Sequence, residues 1–176
     1  MTSRTPRRKS KGTGQKGPLL EQCVGQLRLV GFMSYPDMNT FQKAQVVPER
    51  YVIRNYPHDS LYGTRGRKEA LLVAANSGNG FVPDGDGKMR VVIEAKWQET
   101  GGSTDEKLPY IWHAFLASPI HNWIVILDGR YWKEGRGKAA RSWLSGMGAG
   151  PEGRRLYVVD QKEFTELAHH EWGSAS

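Results

Sequence analysis

With 176 residues and a formal charge of +7, the chain is long enough for one domain with a substantial core and too short for two comfortable ones. Six Trp, seven Tyr and five Phe supply core material, and no apolar run approaches the length of a membrane span, which excludes an integral membrane protein of the helical kind. The single cysteine, Cys23, excludes an internal disulfide and a cysteine-based zinc site, and without an apolar N-terminal signal a reducing, intracellular setting is expected.

Residues 1–17 form a basic arm. Arg4, Arg7, Arg8, Lys9, Lys11 and Lys16 lie in it without one acidic residue, so most of the net charge is there. Its Ser, Thr, Gly and Pro content predicts disorder, and two roles fit: phosphate neutralisation on a nucleic acid, with Arg7, Arg8, Lys9 and Lys11 as contacts, or a solubilising terminus. From Pro18 to Val30, Leu19, Leu20, Val24 and Leu27 recur at helical spacing and predict an amphipathic helix ending near Gly31. Glu21 and Gln22 near its start are either solvated or turned towards an acidic site, and Cys23 reads as a small buried hydrophobe. From Met33 to Arg50 the signal is weak, and Pro36, Asp37, Asn39 and Pro48 predict a mostly irregular connection. Tyr51 to Tyr56 reads as a short strand closed by Pro57. The loop that follows to Arg67 carries Tyr62, Gly63, Arg65 and Arg67, which suits either a nucleic-acid backbone contact through Arg65 and Arg67 or ordinary surface.

Lys68 to Ala75 begins charged and becomes wholly apolar, a strand pattern, and the Gly-, Asn-, Asp- and Pro-rich residues 76–88 make a long turn back into a second strand, so the two form a hairpin. That second strand is Met89 to Gln98, around which the rest is organised. It starts as a β-branched apolar run and then places Glu94, Lys96 and Gln98 at every second residue, which in a strand is one face. An acid, an amine and an amide at the end of a buried strand cost stability unless they bind something. A divalent cation with a phosphate fits them. Glu94 is a hard oxygen ligand for Mg²⁺, the Ala95 carbonyl offers a second, and Lys96 suits a phosphoryl oxygen or an attacking water.

Beyond Gln98, Thr100 to Asp105 is a flexible turn with Ser103 and Thr104 as N-cap candidates, leading to a helix over about 105–117 that starts nearer Lys107 if Pro109 is to lie in its first turn. Asn122 to Asp128 is a buried-strand pattern ended by Gly129. A short helix over 138–145, a Gly-rich loop over 146–153, a last strand from Leu156 to Asp160 and a helix over about 161–171 complete the chain. His169 and His170 are adjacent and do not share a helix face as metal ligands.

Helix, strands, the Glu94-Ala95-Lys96 strand, helix, strand, helix: the order and the motif together resemble the PD-(D/E)XK nuclease superfamily, with Glu94-Ala95-Lys96 matching its (D/E)XK half. Trp97-Gln98 and the run from Gly101 to Tyr110, including Gly-Gly-Ser and Asp105-Glu106-Lys107, are similar to a subgroup of small bacterial and phage-type members. The likeness covers roughly Pro18 to Trp172, as a single domain over 18–172 between the arm and a tail at 173–176. It implies an α/β, restriction-endonuclease-like central mixed β-sheet flanked by helices, and Mg²⁺-dependent hydrolysis of DNA phosphodiesters, endonucleolytic for preference, with Mn²⁺ as a substitute metal. By the same likeness Glu94 is a metal ligand, Lys96 positions water or phosphate, Gln98 supports them, Glu21 and Lys107 are possible further supports, and the setting is a bacterial or phage-infected cytoplasm, as a homodimer or within a larger DNA-processing complex.

The family's first acid is the point of departure. The literal Pro83-Asp84 is a tempting match, but Asp84 lies in the turn about ten residues from Glu94, tens of ångströms away at about 3.3 Å per residue unless the chain doubles back. Hairpin pairing instead brings Glu69 roughly opposite Lys96, within reach of a metal held by Glu94, and the subgroup carries an acid after a Tyr-Gly and basic run that Tyr62-Gly63 and Arg67-Lys68 resemble. Glu69 is therefore the expected first acid and metal ligand. The rival expectation is a non-catalytic DNA-binding or assembly protein on the same fold.

Overall fold

The apolar, β-branched segments of this chain join edge to edge in one sheet whose strands run in sequence order. In the computed structural model the described residues are 16–56, 69–74, 80–103 and 105–173, with 16, 17 and 69 described by their backbone alone. The strands are β1 (Met33–Tyr35), β2 (Arg50–Ile53), β3 (Glu69–Ala74), β4 (Met89–Trp97), β5 (Asn122–Asp128) and β6 (Arg155–Val159). The sheet is mixed: β1 and β2 are parallel, β3 is antiparallel to both β2 and β4, and β4, β5 and β6 are parallel. Among the described residues five α-helices flank it, α1 (Lys16–Leu29), α2 (Met38–Gln42), α3 (Leu108–Ala117), α4 (Gly135–Met147) and α5 (Gln161–Trp172). No described helix is long and apolar enough to cross a membrane.

Parallel neighbours need crossovers, and crossovers of one hand put their helices on one face of the sheet. The β4–β5 and β5–β6 connections accordingly lay α3 and α4 on the same face, where Leu108, Phe115 and Leu144 pack on Val92, Trp123 and Val125. On the other face α1 and α5 bury Leu19, Leu27 and Phe164 against Ile93, Ala95 and Ile124. Alternation along β4 decides what goes where: Val91, Ile93 and Ala95 enter the α1–α5 layer and Val92 the α3–α4 layer, so Glu94 and Lys96 share the α3–α4 face. All seven residues of β5 are buried, as a strand covered on both faces requires. Truncating Phe115, which has no exposed surface, to Ala would cost about 3–5 kcal/mol.

The hairpin register differs from the expected one by two residues: Glu69 pairs with Glu94, not with Lys96. The returning loop explains this. The Asn122 side chain accepts from the Val82 amide at 2.9 Å and donates to its carbonyl at 2.8 Å, and the Asp84 amide donates to the Lys88 carbonyl at 2.8 Å, so pairing with β3 begins at Met89 opposite Ala74.

Other boundaries moved for local reasons. The region read as mostly irregular contains β1 and the short α2, whose N-cap Asp37 accepts from the Thr40 amide at 2.7 Å. Residues 105–107 form a 3₁₀ turn and α3 proper begins at Leu108 without a side-chain cap, so Ser103 is not its N-cap; Thr104 lies outside the described residues. Pro109 falls in the first turn, where its missing N–H costs nothing. α4 starts three residues earlier than expected, because Gly137 is required by packing: a Cβ there would collide with the Tyr131 carbonyl. α5 is opened by a capping box between Asp160 and Glu163, and runs to Trp172, which packs edge-on against Phe32 (5.4 Å) and stacks on Phe81 (5.3 Å).

Candidate active site

β4 carries the site. Apart from Arg90 its first half is apolar and buried, with Val91 and Ile93 on one face and Val92 on the other, which fixes it in the middle of the sheet, and Glu94 follows still 6% exposed. A carboxylate at such a place needs a partner, and Lys96, two residues on along the same strand face, forms an ion pair with Glu94 Oε1 through Nζ. The Lys96 side chain is 18% exposed, so the pair stands at the boundary between core and solvent.

Backbone register adds the rest. Glu69, the first residue of β3, is the Cα partner of Glu94, and directly opposed positions of antiparallel strands share a face. Glu69 is also the last described β3 residue paired with β4. From Ala95 onward β4 has a described neighbour only in β5, where Lys96 pairs with Leu127 and Trp97 with Asp128.

The other expected residues fall in different places. β4 ends at Trp97, so Gln98 lies just past the strand; its side-chain amide donates to the Thr100 carbonyl at 2.6 Å, its N–H to the Asp128 carbonyl at 2.9 Å, and its carbonyl accepts from the Tyr131 amide at 3.1 Å. Gly129 closes against this turn with φ of 103°, and a Cβ there would collide with the Gln98 backbone. Glu21 is on α1, across the sheet from Glu94, and pairs with Arg54 at 2.5 Å. Lys107 is exposed at the end of the 3₁₀ turn. Asp84 pairs with Arg90 at 2.6 Å, at the opposite end of β4 from Glu94. Arg7, Arg8, Lys9, Lys11, Arg65 and Arg67 lie outside the described residues.

Two buried acids near the same sheet end were not singled out from the sequence. Asp128, at the end of β5, accepts from the Gly129 amide at 2.6 Å and the Gln161 amide at 3.2 Å and pairs with Lys133 at 3.3 Å; it lies on the α1–α5 face, opposite to Glu94. Its charge, after burial itself, helps push the Cys23 thiol up to about 12. Asp105 is buried in the turn before α3 and pairs with Arg136 at 2.5 Å. Burial pushes its carboxyl up, but the Tyr131 hydroxyl, its own amide and the Arg136 charge outweigh that and leave it below the ordinary carboxylate range. The only cue for either was an acid at the border of an apolar run. Among the described residues no three His, Cys, Asp or Glu side chains gather into a complete metal cage.

A (D/E)XK pair at the core–solvent boundary of a central strand in a mixed sheet, faced by an acid position on the antiparallel neighbour, defines a class. The profile of a PD-(D/E)XK nuclease superfamily domain matches residues 13–172, nearly the whole chain, and the chain belongs to that superfamily. No curated protein and no solved structure matches it.

Proposed function

We propose that this chain is a Mg²⁺-dependent deoxyribonuclease, with endonucleolytic cleavage of phosphodiester bonds as its reaction and Mn²⁺ as an effective substitute. The observation that carries the reading is the Glu94–Lys96 ion pair, held at the end of an apolar central strand directly across from Glu69. The donor set suits the metal: two carboxylates and one carbonyl leave room for waters and a substrate phosphate, which is how Mg²⁺ is commonly held. Glu69, Glu94 and the Ala95 carbonyl would hold it. When bound, the metal lowers the pKa of a coordinated water and offsets charge developing on the phosphoryl oxygens.

The chain's own residues do the remainder. Lys96, tethered by Glu94 in the absence of substrate, turns its ammonium to a phosphoryl oxygen or to the attacking water, where a fixed cation stabilises the transition state more than the ground state. Gln98 holds the turn that follows β4 and so the outlet of the site. The apolar layer beneath, Val92 with Val125 and Leu127, keeps the pair's inner side dry.

Incubating the full chain with duplex, branched and single-stranded DNA in Mg²⁺, Mn²⁺ or EDTA tests this. Cleavage with either metal and none in EDTA is expected, with Lys96→Ala and Glu94→Ala folded by circular dichroism and slower by about 10²-fold or more. Metal-independent cleavage, or either variant cutting like the parent, would show the site to be wrongly assigned. DNA binding with no cleavage of any form would favour the non-catalytic alternative.

A further inference from the structure

Beyond the N-terminal arm, basic residues concentrate in one stretch. Arg130, Lys133, Arg136, Lys138 and Arg141 stand close together against Glu134 alone, although acidic residues outnumber basic ones over the remainder of the chain. Lys138, Arg141, Ser142 and Ser145 are spaced i, i+3, i+4 and i+7 on α4 and therefore form one stripe along the helix. That stripe lines a groove of about 680 Å³, which Lys133, Val158 of β6 and Glu163 of α5 complete.

The lining is built of donors. Lys138 is exposed and has no carboxylate partner among the described residues. Arg141 gives Nη2 to Glu163 Oε2 at 2.5 Å, which leaves other donors of its guanidinium for a ligand, and the two serines offer hydroxyls. Glu163, the one acid in the described lining, is already engaged by Arg141 and by the Asp160 amide at 2.6 Å as part of the α5 capping box. Two cations and two hydroxyls in a row suit phosphate oxygens, which are contacted by these side chains without regard to sequence. At 1.5 Å rise per residue the stripe is about 10 Å long, close to three base-pair steps of about 3.4 Å.

Its position matters as much as its chemistry. α4 covers the face of the sheet that bears Glu94 and Lys96, and Lys133 is anchored on Asp128, whose register partner is Trp97, the residue after Lys96. The groove thus lies at the sheet end that bears Glu94 and Lys96, on the far side of β5 from β4, and runs along β6.

We propose that the groove between α4, β6 and the start of α5 docks the phosphate backbone of DNA, as a contact tract separate from the N-terminal arm that leads a bound strand to the Glu94–Lys96 end of the sheet. The polyanion's identity as DNA rests on the nuclease reading above; the groove itself does not. The test is equilibrium binding of the full chain to labelled duplex DNA in EDTA, between about 50 and 200 mM salt. Lys138→Ala should lower the slope of log affinity against log salt by about one unit, and Lys138→Ala with Arg141→Ala by more, with folding checked by circular dichroism. Lys162→Ala removes an exposed cation of α5 that is outside the groove and 3.6 Å from Glu166, and should keep the parent's slope. An unchanged slope in Lys138→Ala, an equal fall in Lys162→Ala, or tighter binding of polyglutamate than of DNA overturns the proposal. Because binding is read without metal, a parent that binds with a Lys138-dependent slope yet never cuts sinks the nuclease reading and keeps the groove. A parent that cuts while the groove variants bind like it does the reverse.

Discussion

Replacing Glu69 by Gln and, separately, Asp84 by Asn discriminates between the two candidate first acids, and the register sets the expected magnitudes. Arg90, whose guanidinium holds Asp84 at 2.6 Å, is four residues before Glu94 on β4, a backbone separation of about 13 Å at 3.3 Å per residue, so Asp84 is anchored at the other end of the strand. Asp84→Asn removes one arm of a partly exposed cluster in which Arg90 keeps Asp86 through two bonds of 3.0 and 2.7 Å, a cost of about 1 kcal/mol or less, with metal dependence and cleavage near those of the parent. The Glu69 position is the direct Cα partner of Glu94, and opposed antiparallel positions are about 4.5–5.5 Å apart. Glu69→Gln keeps size and hydrogen bonding but removes one of two charges from a site for a hard cation. The Mg²⁺ concentration for half-maximal cleavage should rise roughly tenfold or more, and the maximal rate should fall by about 10²-fold, or about 2.7 kcal/mol of barrier. Metal titrations of cleavage on both variants, with circular dichroism as the folding check, read this directly. A dead Asp84→Asn beside an active Glu69→Gln would refute the register argument.

Deleting residues 1–15, which stops short of α1, should weaken DNA binding at low salt and flatten its salt dependence while metal-dependent cleavage persists; an unchanged slope would mean that the arm makes no phosphate contact. Arg154, 9% exposed, donates Nη1 to the carbonyls of Phe115 at 3.1 Å and Ser118 at 2.5 Å at the C-terminal end of α3. Arg154→Met should therefore cost about 2–4 kcal/mol and lower the thermal midpoint by roughly 5–15 °C in a circular-dichroism melt. Cys23, neutral in the folded chain up to about 12 against an ordinary 9.0, should react with iodoacetamide at least about 10²-fold more slowly than in denaturant at pH 8.5. Its contribution to stability is whole below the ordinary value and is lost as pH climbs from there towards 12, so a denaturation midpoint that falls over that window in the parent and less in Cys23→Ala is the matching result.

Where one physical signal dominated, the sequence was enough. β4 and β5 are apolar, β-branched runs whose covered faces leave no other assignment, and α5 follows from Phe164, Leu167 and Ala168 at helical spacing. Local propensity misled where packing overruled it. The helix expected over 138–145 starts instead at Gly135, a low-propensity residue, and Gly137 is in it because the Tyr131 carbonyl leaves no space for a side chain. Asp160-x-x-Glu163 is a capping box in plain view, but with Asp160 taken as the last strand residue its role as the N-cap of α5 went unread.

Glu94 and Lys96 were legible for a different reason: residues two apart on a strand need no tertiary information to be placed together. Glu69 needs a register, and a turn centred on residues 77–88 puts it two residues off because Asn122, a distant strand's first residue, pins Val82 and sets where pairing begins. The same dependence on distant segments hides the α4 groove. Lys133, Lys138 and Arg141 look like scattered surface charges along the chain, and become one row only once α4 fixes the helical phase and Val158 and Glu163 supply the opposite wall. A basic arm without acids announces itself by composition, whereas a basic groove inside a near-neutral domain exists only in three dimensions. Charge counted along the sequence therefore credits the arm with all of the phosphate affinity, and the salt slopes of the arm deletion and of Lys138→Ala, measured on the same DNA, divide it between them: two separate reductions that add in the combined variant are the signature of two independent contact tracts.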